Sequence, residues 1–535
     1  RNQLCLVATA TVTQTQNEVG ATRLLRPSTR RLRRTVMASA DPFSAVRARL
    51  AEHGQAHLLS PPPPAAAAED YLRQLRGLDL PRLRRMFESS TSAQPPAGDI
   101  TPFEDITCVE ELPAGGAEAH SEGLRLIAEG KVAALLLAGG SGTRLGSAAP
   151  KGCYDIGMPS HKSLFQYHAE RLLGARRLAA QHSGRRLEEV HLPLLVMTSE
   201  ANDGETRAFF AERDRFGLPP DQLHFFTQGM LPAFDERGRI LRSSASQLAL
   251  SPNGNGGVYL SLQEAGLLEE MSRRGVTSVF QFGVDNVLCH VADPTFVGFC
   301  SLRGADCGVK TIAKADPHEK VGVLASVGGK PHVVEYSEIS TEMAEATREA
   351  LSGSGTRLLY GAAHICVNWF SLPFLRAFAA GALGEEGSAS LPLHVARKKV
   401  PCLDPDKGGG SVPLQPSEPN AIKLELFIFD TFPHAAKLVA LQVPREHEFA
   451  PVKNAPGAAS DSPDTACAAF SRLCVDRLVA AGGTVKAPRP CVAANSGNGS
   501  RPRPLLEISP LVSYAGEGLE ERVAGREFEL PQHLC

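Results

Sequence analysis

Charge of either sign is not in excess in this chain: 56 Lys and Arg stand against 58 Asp and Glu, for a net charge of -2. Bulk electrostatics therefore recruit neither nucleic acid nor an acidic membrane surface, and a small molecule is the expected partner. The 12 cysteines are scattered, with no C-x-x-C pair and no His/Cys array at zinc spacing. Reduced thiols in a cytoplasmic protein are the expectation. No apolar run approaches the roughly 20 residues of a membrane-spanning helix. No internal repeat is evident, and no Ser/His/Asp set reads as a nucleophilic triad. At 535 residues the chain exceeds one ordinary core, so two or three domains are expected.

What is present is an apolar run that breaks into glycines: Leu135-Leu136-Leu137-Ala138-Gly139-Gly140-Ser141-Gly142-Thr143-Arg144-Leu145-Gly146, followed by Pro150-Lys151-Gly152. Glycines let the main chain approach a ligand with no Cβ in the way, which is how a loop cradles phosphate. Arg144 and Lys151 add a forked donor and a point charge, suited to an anion richer than one monophosphate. Gly140, Gly142 and Gly146 run one residue too long for the dinucleotide fingerprint, and Lys151 lacks the following Ser or Thr of a P-loop. A bare glycine cluster reads equally as a tight turn; the basic residues favour the cradle.

In chain order, residues 1–36 carry six Arg between 23 and 34 against a single acid, Glu18. They read as a targeting or upstream extension outside the fold, with Met37 as a natural start. Residues 37–130 form a mostly helical region, with helices near 42–50 and over 71–87 separated by the Pro and Ala run at 61–68. From 131 to 440, short apolar strands alternate with amphipathic helices, the pattern of βα units around a largely parallel sheet. Strands are predicted at 132–138, 192–198, 223–227 and 277–284, and helices at 163–181, 203–213 and 261–274. Hairpin strands are predicted within 305–340, a helix or turn at 422–432 after a flexible insertion at 405–418, and a small C-terminal domain over 441–535. That domain is read as strand 437–443, helix 464–481, loop 484–504 and a β-like end. Ligands of such sheets sit beyond the carboxyl ends of strands, where the glycine loop, Gln228 and Asp285 fall.

Asp285 closes an apolar strand, where a single carboxylate can hold a hard divalent cation that bridges phosphates. A turn or cap role is the alternative. Asn255, inside a second glycine cluster, reads as a hydrogen-bonding group for a hydroxyl or amide, or as an Asn-Gly turn. Glu335 reads as an acceptor for sugar hydroxyls or as a solvated strand residue. Lys423 and Lys453 are ordinary surface lysines until context promotes them.

Leu136–Gly146 with Pro150-Lys151-Gly152 resembles the uridylyltransferase loop of the eukaryotic UDP-N-acetylhexosamine (UDP-N-acetylglucosamine) pyrophosphorylases. Met197-Thr198-Ser199-Glu200, Gln228–Ala233, Asn253–Gly257, Val284-Asp285-Asn286, Val334–Ser340, Phe427–Asp430, Pro451–Ala455 and Ile508–Gly518 continue the resemblance in family order over about 121–530. It implies a central Rossmann-like nucleotidyltransferase domain with a mixed sheet, a small helical N-terminal region and a small β-rich C-terminal domain. The implied reaction joins UTP to N-acetylglucosamine 1-phosphate or its galactose epimer and releases pyrophosphate, with Mg²⁺ or Mn²⁺ at Asp285, in a monomer or homodimer. Carried over, Gly139, Gly140, Gln228 and Gly254 hold the uridine; Asn255, Gly322, Glu335 and Phe429 frame the sugar; Lys423 and Lys453 meet its phosphates; Arg144 and Lys151 grip pyrophosphate. In Leu359–Cys366, His364 stands where the family usually has a sugar-associated Asn. A shifted preference, such as for glucose 1-phosphate, is the alternative within enzymes, and a silent sugar-nucleotide-binding protein the alternative outside them.

Overall fold

Six consecutive apolar residues, Val132–Leu137, make a strand suited to a sheet covered on both faces. It belongs to the eleven-stranded central sheet of the computed structural model, which describes residues 43–92, 98–349, 356–381, 391–404, 406, 413, 415–486 and 505–535. The extension expected at 1–36, most of the insertion at 405–418 and most of the loop at 484–504 lie outside the described residues. In chain order the strands are β1 (Ile100–Pro102), β2 (Ile106–Cys108), β3 (Val132–Leu137), β4 (Leu194–Thr198), β5 (Leu223–Thr227), β6 (Ser278–Gly283), β7 (Cys307–Ala313), β8 (Val323–Val327), β9 (Lys330–Val334), β10 (Ala362–Ser371) and β11 (Leu438–Gln442). Their spatial order is β2-β11-β7-β10-β6-β3-β4-β5, with β8 linking β10 to β1 and β9. The order runs parallel on either side of β10, which is antiparallel to both β6 and β7. Periodicity predicts a largely parallel sheet, and the antiparallel β10 makes it the mixed α/β sheet that the family resemblance implies.

The N-terminal region is helical, with α1 (Ser44–Glu52), α2 (Ala68–Gly77) and α3 (Leu80–Ser92). The single helix predicted over 71–87 is thus two. Pro81 lacks an N–H, and inside a continuous helix its ring would strike the carbonyl of Gly77. In the first turn of a new helix that cost disappears. Tyr71, Leu72, Leu75 and Leu83 pack with Phe234, Ile240, Ile422 and Leu424 in one cluster.

Around the sheet lie α4 (Ala117–Ala128), α5 (Leu164–Ser183), α6 (Asp203–Glu212), α7 (Val258–Glu264), α8 (Leu267–Arg273), α9 (Pro294–Leu302) and α10 (Leu372–Ala379). The helix predicted over 261–274 is also two, parted at Gly266. Side-chain alternation along β3 sends Ala134 and Leu136 into the cluster of α4, α5 and α9, and Ala133 and Leu135 into that of α7, α8 and α10. The segment 422–432 is neither wholly helix nor turn: Ala421–Glu425 is a strand paired with His394–Lys398, followed by a 3-10 stretch, Ile428–His434. Beyond β11, α11 (Pro463–Ala480) and short strand pairs near 484–486 and 506–534 contribute Phe470, Leu473 and Tyr514 to the cluster that holds Leu136.

Candidate active site

At the end of β3 the glycine loop is pinned from β4's side. Asn202 donates Nδ2 to the carbonyls of Ala138 at 3.0 Å and Gly140 at 3.4 Å, while its Oδ1 accepts the Ser199 N–H at 2.8 Å. The loop then folds back, with the Lys151 N–H donating to the Gly140 carbonyl at 3.3 Å and the Gly142 N–H to Ala149 at 3.1 Å. Lys151 is thereby returned to Gly140. Arg144 stands exposed on the turn Thr143–Leu145, with no ion pair among the described residues. Gln228 follows β5 and spreads its amide over Gly139, where a methyl group would come 2.5 Å from Nε2. A side chain at position 139 would push that amide aside.

The second glycine cluster turns at Gly254, whose φ is +88° and whose missing Cβ would lie 2.3 Å from the Leu426 carbonyl. Close approach and backbone conformation both demand glycine there. Next to it, Asn255 accepts the Ile428 N–H on Oδ1 at 2.9 Å and so fixes the Phe-rich turn.

A cavity of about 270 Å³ collects Gly140, Lys151, Asn255, Asp285, His364 and Lys453 in its wall. Two loops meet there. The Asp285 carbonyl accepts the Val452 N–H at 2.9 Å; Asn286 donates Nδ2 to the Glu448 carbonyl at 2.7 Å and accepts the Ala450 N–H at 3.0 Å. Beneath them the fully buried Lys310 donates to Asp293 at 2.6 Å and to Glu448 at 2.7 Å. Burial alone would lower the Lys310 pKa, but the two carboxylates outweigh it and hold the ammonium above its ordinary value. Burial likewise opposes the charge on Glu448, and Lys310 and His290 hold that carboxyl well below the usual range.

The remaining wall comes from β10, which bulges. Asn368 faces Val309 and His364 faces Thr311, so three residues of β10 stand against Lys310 alone, and Cys366 takes φ +56°. His364 donates its backbone N–H to the Gly322 carbonyl at 2.9 Å, and its ring meets those of Phe429 and Phe432 edge-on at 5.9 Å. Glu335 lies just past the end of β9, in a turn, rather than within a hairpin strand. Its side chain borders Gly322, and burial followed by the charge of Glu338 raises its pKa.

The structure thus brings together Gly140, Lys151, Asn255, Asp285, His364 and Lys453, with Gly139 and Gln228 paired on the loop side, Gly322 and Phe429 adjoining His364, and Glu335 bordering Gly322. Arg144 and Lys423 do not line the cavity; Lys423 sits in the two-stranded ribbon opposite Ala396. Sequence reasoning missed Gln281, Asn368 and Asn202. Each is an amide in an otherwise unremarked segment, and no spacing rule singles it out.

Moving a nucleotidyl group between phosphates calls for a rigid anion cradle at a strand end, and the fold is that of the nucleotidyltransferases. Residues 86–461 match the family described as UTP–glucose-1-phosphate uridylyltransferase, and the chain belongs to that family. It is 42% identical over 507 residues to a human protein named UDP-N-acetylhexosamine pyrophosphorylase-like protein 1, covering 91% of this chain and 96% of that one. UDP-N-acetylglucosamine diphosphorylase 2 of Arabidopsis thaliana is 40% identical over 503 residues, covering 92% and 94%. Among solved structures, the uridine diphosphate N-acetylglucosamine pyrophosphorylase of Trypanosoma brucei superposes with a TM-score of 0.71 at 32% identity, covering 91% of this chain and 95% of that one.

Proposed function

We propose that the chain transfers the uridylyl group of UTP to N-acetylglucosamine 1-phosphate or N-acetylgalactosamine 1-phosphate. A phosphate oxygen of the sugar phosphate forms the bond to the α-phosphorus in line as the bond to the β-phosphate oxygen breaks, and pyrophosphate leaves. The nucleophile is already ionised at neutral pH, so no general base is needed. The observation that carries this reading is that one cavity wall holds Lys151, Lys453, Asp285, His364 and the open backbone of Gly140. Relatives named for UDP-N-acetylglucosamine at about 40% identity support the N-acetyl sugar.

In this reading Gly139, Gly140, Gln228 and Gly254 seat the uridine, and Asn255, Gly322, Glu335, His364 and Phe429 frame the sugar. Lys453 neutralises its phosphate and Lys151 holds the departing pyrophosphate, while Lys423 and Arg144, which stand outside the cavity wall, are assigned to the same two groups on the family resemblance alone. Aligning two anions that repel each other is the main task, and fixed cations perform it without a covalent intermediate. Asp285 is the only carboxylate in the cavity wall, and no cluster of three His, Cys, Asp or Glu side chains that could hold a metal occurs among the described residues. That donor set fits Mg²⁺ or Mn²⁺ held largely by phosphate oxygens and water. When bound, the ion would supply positive charge to the phosphates.

No helix among the described residues is long and apolar enough to cross a membrane, and a cytoplasmic monomer or homodimer is the assembly proposed. The test is pyrophosphate release from UTP and Mg²⁺ with N-acetylglucosamine 1-phosphate, N-acetylgalactosamine 1-phosphate or glucose 1-phosphate. Release with the N-acetylated sugars is expected. Faster release with glucose 1-phosphate would replace the proposed substrate, and no release with any sugar would leave a silent binding protein.

A further inference from the structure

A chain of hydrogen bonds runs from the bulge of β10 to the cavity, and its first member sets the direction of all the rest. The Cys366 carbonyl can only accept, so Gln281 turns Nε2 toward it, at 3.3 Å. Its Oε1 then accepts from Asn368 Nδ2 at 2.6 Å. Asn368 is left with Oδ1 toward His364 Nε2 at 3.0 Å, and an acceptor there requires the proton on Nε2. Gln281 and Asn368 are both 0% exposed, so no solvent exchange reverses the order. Burial pulls the imidazole pKa down to about 4, so at neutral pH the ring carries one proton. Nδ1 has no partner among the described residues, and His364 lines the cavity.

We propose that Gln281 and Asn368 are positioning residues that hold His364 in its Nε2–H form, so that Nδ1 offers a lone pair to the 2-substituent of the sugar. The inference rests on the cavity taking a sugar 1-phosphate. An Asn at this position could present either its carbonyl or its NH₂; this imidazole accepts only. The sugar group that meets it must bring an N–H or an O–H, which the acetamido nitrogen and a plain hydroxyl both do and a fluorine or ether oxygen does not. His364 thus selects for a donor at that carbon. It does not by itself separate an N-acetyl sugar from a simple one, which falls to the shape of the wall around it.

The ¹⁵N spectrum of histidine-labelled protein reads the tautomer directly, with His364 assigned by its loss in His364→Leu. The wild type is expected to show a protonated Nε2 and a bare Nδ1. Asn368→Leu is expected to convert that into a mixture of tautomers and to raise KM for the sugar phosphate without raising KM for UTP. In turnover, the wild type should prefer glucose 1-phosphate over 2-deoxy-2-fluoroglucose 1-phosphate on the order of tenfold, and His364→Leu should use the two alike. A proton on Nδ1 in the wild type, or equal use of the two sugars by the wild type, overturns the proposal. Because the spectrum needs no turnover, loss of the activity reading and loss of the tautomer reading are separate outcomes.

Discussion

Asn286 and Glu448 lie 162 positions apart in sequence, yet the amide of the first donates to the backbone carbonyl of the second at 2.7 Å. This contact, with the Val452 N–H on the Asp285 carbonyl, couples the loop that carries Asp285 to the loop that carries Lys453. Asn286→Leu keeps the number and branching of side-chain heavy atoms and strands the Glu448 carbonyl and the Ala450 and Leu288 N–H groups. A loss of about 3 kcal/mol in stability is expected from such buried orphans, with a fall in kcat that exceeds any change in UTP affinity. Urea unfolding and turnover measured together check it; unchanged stability would show the tie to be dispensable.

Lys310→Met should be the more damaging change. It leaves Asp293 and Glu448 facing each other in the interior with their shared cation removed. Breaking a buried ion pair from one side costs about 3 to 5 kcal/mol. Chemical denaturation of the variant should show a midpoint far below the wild type, and pairing it with Glu448→Gln should recover part of the loss.

Acid sensitivity should trace in part to His168, which is buried with its Nε2 on the Val284 carbonyl at 3.0 Å. Burial, reinforced by Arg171, lowers its pKa from 6.5 to about 4. The unfolded chain therefore takes up a proton before the folded one does. The stability held by this ring is complete above pH 6.5 and is lost as pH falls toward 4, on the order of 3 kcal/mol across the window. His168→Gln is expected to flatten that part of the stability profile; a profile identical to the wild type would assign the acid loss to other groups.

Arg144→Ala isolates the loop's charge from its fold. Arg144 is exposed and makes no ion pair among the described residues, so Tm should hold within a degree or two. Pyrophosphate release should drop roughly tenfold or more if the guanidinium meets the developing charge. Equal turnover in both proteins would remove Arg144 from the mechanism.

The parts legible in the sequence are those in which chemistry and contiguity coincide. Val132–Leu137 followed by Gly139, Gly140, Arg144 and Lys151 announces a strand and its anion loop within twenty residues, and β5 lies where its apolar run predicts. The parts that are not legible depend on distance or distortion. In a regular strand, residues four apart are separated by about 13 Å; His364 and Asn368 can share a hydrogen bond because the bulge at Cys366 folds the strand between them. Periodicity carries no sign of that. Lys310 reads as a lone charge in an apolar strand, and its partners stand 17 and 138 positions away. The broken helices at Pro81 and Gly266 are a different case, since both residues are visible breakers set within otherwise helical periodicity.

The reversal of β10 within its sheet has a further consequence. Because it runs against β6 and β7, its opening residues, rather than its last, arrive at the edge where β3 and β6 deliver the glycine loop and Asp285. The glycine loop and Asp285 therefore come from the ends of β3 and β6, while His364 and Asn368 come from β10, with Gln281 of β6 joining the two. Residues 363–368 can therefore be exchanged without disturbing the glycine loop, but not without regard to Gln281, whose amide spans β6 and the bulge.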